Sequence, residues 1–340
     1  MSTFSQIFPP EPKFSVDHIP DLSGKVMLVT GGNAGAANTC GLLSHEVTLL
    51  TPISPRLEGI GKETVKALLA HNAKVYLGAR NRDKACKVIA ELKTETNQEA
   101  EFLLLDLADL PSIKAAAEEF MRKETKLHVL FNNGGVMIPP VEQVTAQGYD
   151  LQFGTNVLGH FYLTTLLLPT ILATAASAPR GTVRIIHTSS FASQVWGNKP
   201  IEYASLKDST GFQNAARKQL GPTKLYQQSK FGNVIFSNEL HRHFAEQGVV
   251  SVSLHPGIIR TELDRHRKGV AKVLIGMLQH SAPRGALTQL WAGTSQEGAK
   301  MGGKYLIPFA RYGSAPELTS KPEVGRELWK WCEEQVAAVN

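Results

Sequence analysis

The run Lys25-Val-Met-Leu-Val-Thr30 passes without a break into Gly31-Gly32-Asn33-Ala34-Gly35. A short apolar strand that ends in a glycine turn brings backbone N–H groups close enough to hold an anionic ligand. Glycine turns end many strands, so the reading depends on the rest of the chain. Further strand-like runs occur at Lys74–Ala79, Glu101–Asp106, Leu127–Asn132, Val183–Thr188, Val250–Leu254 and Lys304–Ile307. Between them lie helical patterns, among them Glu63–His71, Pro111–Lys123, Val157–Ala173, Leu220–Glu246 and Glu323–Val336. This alternation predicts parallel βαβ units and one α/β domain: a doubly wound parallel sheet of about seven strands, helices on both faces. Such sheets bind ligands at the carboxyl ends of their strands. Thr30, Arg80, Asp106, Asn132, Ser190 and Pro256-Gly257 all fall at such ends.

One stretch carries chemistry of its own. Tyr226-Gln-Gln-Ser-Lys230 sets a phenol and an ammonium four residues apart, which on a helix is one face. A nearby cation favours the phenolate, and a shift of roughly two or three units from about 10 makes tyrosine a usable acid near neutral pH. The hydroxyl pair Ser189-Ser190 comes directly after the fifth apolar run and is suited to hold a substrate carbonyl. Tyr203-Ala-Ser-Leu-Lys207 has the same spacing, but its flanks Asn198-Lys-Pro and Asp208-Ser-Thr-Gly read as loop, so Tyr203 is taken as a loop aromatic.

Composition excludes several classes. Net charge is +6 over 340 residues, and the basic cluster Arg265-His-Arg-Lys268 has no interleaved aromatics, which argues against nucleic-acid binding. Cys40, Cys86 and Cys332 are far apart; they form no disulfide framework or metal spacing, and fit a reducing, cytoplasmic setting. His241 and His243 are two residues apart, so a helix turns them away from each other and no metal site is expected. Pro9, Pro10, Pro12 and Pro20 mark residues 1–21 as an extended leader rather than a signal peptide. The most apolar segment, Phe161–Leu172, is short for a membrane span and contains Pro169.

Taken together, the glycine turn, Asn132-Asn133-Gly134-Gly135, Asn156, Ser190, Tyr226 and Lys230 resemble, in order and spacing, the short-chain dehydrogenase/reductase family from about Leu22 onward. Leu225–Glu239 and Lys304–Pro308 look most like the branch of retinol dehydrogenases and WW-domain oxidoreductases, here without a WW domain. The resemblance implies a Rossmann-type fold and carbonyl/alcohol interconversion with NAD(P). It assigns Tyr226 as general acid or base, Ser190 to the carbonyl oxygen, and Lys230 to the tyrosine and the nicotinamide ribose. It gives Asn156 a water that links Lys230 to solvent, and Pro256, Gly257 and Thr261 the carboxamide end of the cofactor. Thr30, Gly31, Gly35, Ile60, Gly61, Asn132, Asn133 and Gly134 would flank the dinucleotide, with Asp106 and Leu107 bordering the adenine. It also implies a homodimer through the long helices Val157–Ala173 and Leu220–Glu246.

Cofactor choice turns on the end of the second strand. Leu77-Gly78-Ala79-Arg80 places arginine where NAD enzymes carry an acid, which favours NADP(H). The glycine loop departs from the family pattern. Ala37 stands where another glycine is wanted, and Ile60-Gly61-Lys62-Glu63-Thr64 resumes the pattern only after residues 36–59. Lengthening a loop costs only about 0.6 kcal/mol per doubling; the objection is geometric, because the turn and the next helix start must form one compact nest. Either the segment is a retained in-frame intron or gene-model error, the favoured reading, or it is real. In the second case the product is a weakly binding or non-catalytic relative. The substrate would be gripped by 191–221 and 262–285. The apolar set Val270, Val273, Leu274, Ile275, Met277 and Leu278 suits a hydrophobic substrate, a lipid surface or a helix packed on the core.

Overall fold

The computed structural model describes residues 4–31, 59–207, 215–260, 279–337 and 339. Eight strands form one sheet in the order β3-β2-β1-β4-β5-β6-β7-β8. They are β1 Val26–Thr30, β2 Lys74–Ala79, β3 Glu101–Leu104, β4 Val129–Asn132, β5 Val183–Thr188, β6 Val249–Leu254, β7 Tyr305–Ile307 and β8 Arg311–Gly313. The first seven run parallel, and β8 returns antiparallel against β7 with Leu306 opposite Tyr312. Strand β8 has no apolar alternation to betray it: Arg-Tyr-Gly at a sheet edge pairs by backbone alone. Every residue of β1 and β5 is buried, as expected where helices cover both faces of a parallel sheet.

The helices are α1 Phe4–Ile7, α2 Ile60–Ala70, α3 Arg82–Thr96, α4 Leu110–Lys123, α5 Leu151–Ser177, α6 Ala192–Trp196, α7 Ala215–Phe244, α8 Ala282–Thr294 and α9 Pro322–Ala337. One core, on α4, α5, α7 and α9, is built from residues such as Phe120, Phe161, Phe231 and Leu328. The other, on α2, α3 and α8, includes Val65, Leu68, Val88 and Leu290. Helix α5 is long and apolar enough to cross a membrane by length and composition. It exceeds the Phe161–Leu172 segment read from the sequence, and most of it is buried against the sheet and its neighbours.

Two departures from the sequence reading matter for the site. The seventh helix is broken at Gly221 (φ 71°, ψ 167°), and Pro222 starts the part that carries Tyr226. Glycine supplies the left-handed residue, and proline is at home in a first helical turn, where its missing N–H has no partner to lose. Among its described residues the N-terminal leader is extended only in part, with turns at Phe4–Ile7 and Val16–His18, and is anchored at several points. Phe14, Ile19 and Leu22 join the second core, Glu11 holds Arg284 at 2.9 Å through both carboxylate oxygens, and Gln6 is buried against His255.

Candidate active site

The carboxyl ends of β1, β2, β4, β5 and β6 open into a cleft of about 580 Å³. At its centre two backbones touch. Gly31 has φ 70°, and a Cβ placed there would lie 2.6 Å from Cα of Gly134. A side chain at either glycine would push the first turn away from the loop after β4. Thr30 lies beneath this contact, where its hydroxyl accepts the N–H groups of Asn133 (3.0 Å) and Gly134 (2.9 Å). The same hydroxyl meets His160 Nε2 at 2.9 Å, while His160 Nδ1 lies 3.0 Å from the carbonyl of Asn156. With Nδ1–H donating to that carbonyl, Nε2 is left to accept from Thr30. Complete burial lowers His160 to about 4, so the ring is neutral and can play both parts. Asn132 is also below the cleft, donating to Thr164 Oγ1 at 3.1 Å. Thr30 and Asn132 thus hold the floor, whereas Gly31, Asn133 and Gly134 line the cleft.

Helix α2 starts with Gly59 as its N-cap, and Gly59, Ile60 and Gly61 line the same cleft as Gly31. Gly31, ahead of the loop, and Ile60, after the 36–59 interval, therefore line one cleft. An excursion at this point is expected either to pull the helix start away or to crowd the phosphates; the helix start itself lines the cleft. Farther along, Arg80, Asn81 and Lys84 close one end. Asn81 caps α3 by accepting the Lys84 N–H at 2.8 Å. Arg82, by contrast, stacks on Phe102 with 5.2 Å to the ring centroid. Asp106 and Leu107 line the wall beside Arg80, with Asp106 Oδ1 accepting the Ala108 N–H at 2.9 Å.

At the other end Ser190, Tyr226 and Lys230 line the cleft together with Pro256 and Gly257. The two serines divide their work. Ser189 is buried and donates to the carbonyl of Lys230 at 2.6 Å, whereas Ser190 Oγ accepts the Ala192 N–H at 3.2 Å, which leaves its own O–H to donate. Lys230 Nζ donates to the carbonyl of Thr188 at 2.9 Å and lies 5.9 Å from the Tyr226 ring centroid. Burial pulls its ammonium down to about 8. Gly135 fits between Lys230 and Asn156: a Cβ there would be 2.7 Å from Asn156 Oδ1 and 3.6 Å from Lys230 Nζ. Asn156 sits in a π turn, Gly154–Leu158, inside α5, a local irregularity frequent at functional sites. Its amide grips Val136 by both backbone groups (2.8 and 3.0 Å) and also donates to Ser229 Oγ at 3.0 Å. Asn156 therefore has a structural task besides the solvent link that the resemblance assigns to it.

Three contributors carry no signal a single sequence would reveal. Gln152 accepts the Ile138 N–H, Gln289 accepts from Thr188 Oγ1 at 2.9 Å, and His160 ties Thr30 to Asn156. All three are polar residues inside apolar helices, and only the tertiary fold shows what they reach. The second Tyr-x-x-x-Lys set is structural: Tyr203 lies in a 3-10 turn against Trp331, and Lys207 donates to the Tyr149 hydroxyl at 3.0 Å. His243 meets Glu239 at 3.1 Å and stacks on Trp329, while His241 packs against Gly302. Cys86 is exposed and Cys332 buried, both free thiols. Gly35, Thr261, Cys40, residues 36–58 and the apolar set 270–278 lie outside the described residues.

Known proteins resemble this chain in sequence and in fold. The family profile described as short chain dehydrogenase matches residues 56–225. A short-chain dehydrogenase/reductase of Armillaria gallica is 50% identical over 98% of this chain and 97% of its own length. One from Emericella nidulans is 37% identical over 96% and 97%. Among solved structures, a protein of Mycobacterium paratuberculosis superposes with a TM-score of 0.66 at 22% identity, covering 95% of this chain and 97% of that one. A Shigella flexneri protein described as a short chain dehydrogenase complexed with NADP gives 0.57 at 18% identity, covering 84% and 97%.

Proposed function

The chain belongs to the short-chain dehydrogenase/reductase family, and from that premise we propose that it interconverts a carbonyl and an alcohol on a small hydrophobic substrate with NADP(H). The observation that carries the reading is the meeting of Ser190, Tyr226 and Lys230 in one cleft whose other end is closed by Arg80 and Lys84. The dinucleotide fits the residues present: the Gly31–Gly134 contact leaves room for no side chain, and the start of α2, capped by Gly59 without a side-chain bond, lies on the same cleft. When bound, NADPH supplies the hydride. Tyr226 then gives its phenolic proton to the carbonyl oxygen, Ser190 donates a hydrogen bond to the same oxygen, and the buried Lys230 ammonium stabilises the phenolate left behind. In oxidation the same groups run in reverse, with the phenolate taking the alcohol proton.

Arg80 and Lys84 suit a ribose 2′-phosphate, and no acid lies at the end of β2 to favour a 2′-hydroxyl. Arg80→Asp is expected to move preference from NADPH toward NADH, read as the ratio of the two dissociation constants by fluorescence titration. A parent chain that already binds NADH more tightly would overturn this part of the reading.

The non-catalytic alternative rests on the interruption at residues 36–59. Gly31 and Ile60 both line the cleft, and the loss expected from the interruption lies in the backbone donors of the turn between them. Deleting 36–59 brings Gly35 into the place of Gly59, again a glycine before Ile60. The shortened chain is expected to bind NADPH more tightly and turn over faster than the full one. Equal affinity in parallel titrations would show that the interval leaves the phosphate nest unharmed.

A further inference from the structure

Val136-Met137-Ile138, in the loop after β4, forms a wall of the cleft that Ser190 and Tyr226 also line. Ile138 has φ 52°, the left-handed region that a β-branched side chain strongly disfavours. The other non-glycine residues with positive φ among the described residues are two asparagines and an alanine, so Ile138 stands alone as a branched residue in that conformation. Backbone strain of this kind persists only where the surroundings enforce it, and it concentrates at ligand sites.

The enforcing group is Gln152. Its side chain is buried at 1% exposure, its Oε1 accepts the Ile138 N–H at 2.9 Å, and its Nε2 donates to the Pro222 carbonyl at 2.9 Å. Pro222 opens the helical segment that carries Thr223, Tyr226 and Gln227 into the same cleft. One amide therefore couples the substrate wall to the start of the helix bearing the phenol. Four residues on, Asn156 grips Val136 by both backbone groups. The wall is thus clamped at two points by two amides of α5, and the strained residue lies at the second clamp.

Resting on the reductase reading above, we propose that Ile138 sets the width of the substrate end of the cleft, selecting compact apolar carbonyl compounds over broad ones, and that Gln152 is the positioning residue that holds it there. Nothing is gained by forcing a branched residue into this conformation unless its side chain has to project from that point. A glycine would adopt the turn freely.

The test uses the full chain and two ketones, acetophenone and 2-acetylnaphthalene. Ile138→Gly relieves the backbone and removes the wall. It is expected to lower the ratio of kcat/KM for the compact over the broad ketone by about tenfold or more, the scale on which a few methylenes in an apolar pocket discriminate. NADPH affinity should stay within about twofold, since no contact assigned to cofactor is touched. Gln152→Ala should move the ratio in the same direction. Gln152→Glu keeps the acceptor for the Ile138 N–H but loses the donor to the Pro222 carbonyl, and its ratio should fall between those of Gln152→Ala and the parent. Should Gln152→Ala fail to fold, Ile138→Gly carries the test alone. Saturation-transfer NMR reads the ratio of the two ketone affinities without turnover, and that ratio should move in the same direction. An inert parent that still binds the ketones would count against the reductase reading. An unchanged ratio in Ile138→Gly by either measurement, or a loss of NADPH affinity equal to the loss of ketone affinity, would overturn the role of Ile138.

Discussion

Tyr226→Phe is expected to cut carbonyl reduction by about 10²–10⁴, the contribution of one well-placed general acid, while NADPH still binds. The substitution removes a single oxygen from a residue that lines the cleft beside Ser190 and Lys230, and it leaves the buried ring in place. Loss of an interaction made only in the transition state lowers kcat and kcat/KM together, so KM should change little. Tyr203→Phe is the matched control. Its ring packs on Trp331 outside the cleft, and its hydroxyl has no part in the reaction, so activity should stay near that of the parent. Steady-state reduction by the two variants, with NADPH titrated by fluorescence, checks both. An active Tyr226→Phe beside a dead Tyr203→Phe would reverse the assignment.

Lys230→Met is expected to abolish turnover, weaken NADPH binding and change how stability depends on pH. The side chain is buried, so burial lowers the ammonium from its ordinary 10.5 to about 8. Below pH 8 the folded and unfolded chains both carry the proton, and the fold bears a constant cost for the buried charge. Between about 8 and 10.5 the unfolded chain keeps a proton that the folded chain has released, so this group makes stability rise with pH across that window. At about 1.4 kcal/mol per unit, the rise is at most about 3 kcal/mol. Urea denaturation at pH 7, 8, 9 and 10 should show the difference between parent and variant changing by that order, in favour of the parent as pH rises. A difference that stays flat would mean that Lys230 is not titrating as a desolvated ammonium. Methionine keeps the bulk of the stem, and the Thr188 carbonyl keeps its 3.3 Å bond from Asn233.

Much of the architecture was legible because parallel sheets buried on both faces advertise themselves. Val183–Thr188 and Lys74–Ala79 are legible to the residue, as short runs rich in apolar residues, the kind that strands covered on both faces carry. The set Tyr226, Lys230 and Ser190 was legible because its spacing reflects helix periodicity and strand ends. The rest was hidden for three physical reasons. Gly221-Pro222 breaks α7, yet a glycine before a proline reads equally well as a minor kink. Strand β8 offers only backbone to the sheet, so its side chains carry no pattern. The buried amides Gln152 and Gln289 sit at helical positions whose partners are 14 and 101 residues away, a separation that local sequence cannot encode.

The π turn at Gly154–Leu158 has a consequence for how this helix can drift over generations. Gly159 N–H reaches back five residues to the Gly154 carbonyl instead of four, so the turn holds one residue more than a regular helix would. Deleting one residue there would restore ordinary periodicity and leave the flanking turns nearly in phase, because the wide turn absorbs the extra residue. Gln152 and His160 would keep their partners, while Asn156, inside the turn, would lose the place from which it grips Val136. A codon lost here would therefore spare the packing of the helix and release one of the two clamps on the wall. Point substitutions can accumulate along α5, but its residue count across 151–160 should be fixed by selection. An active relative with a gap in that interval would refute this.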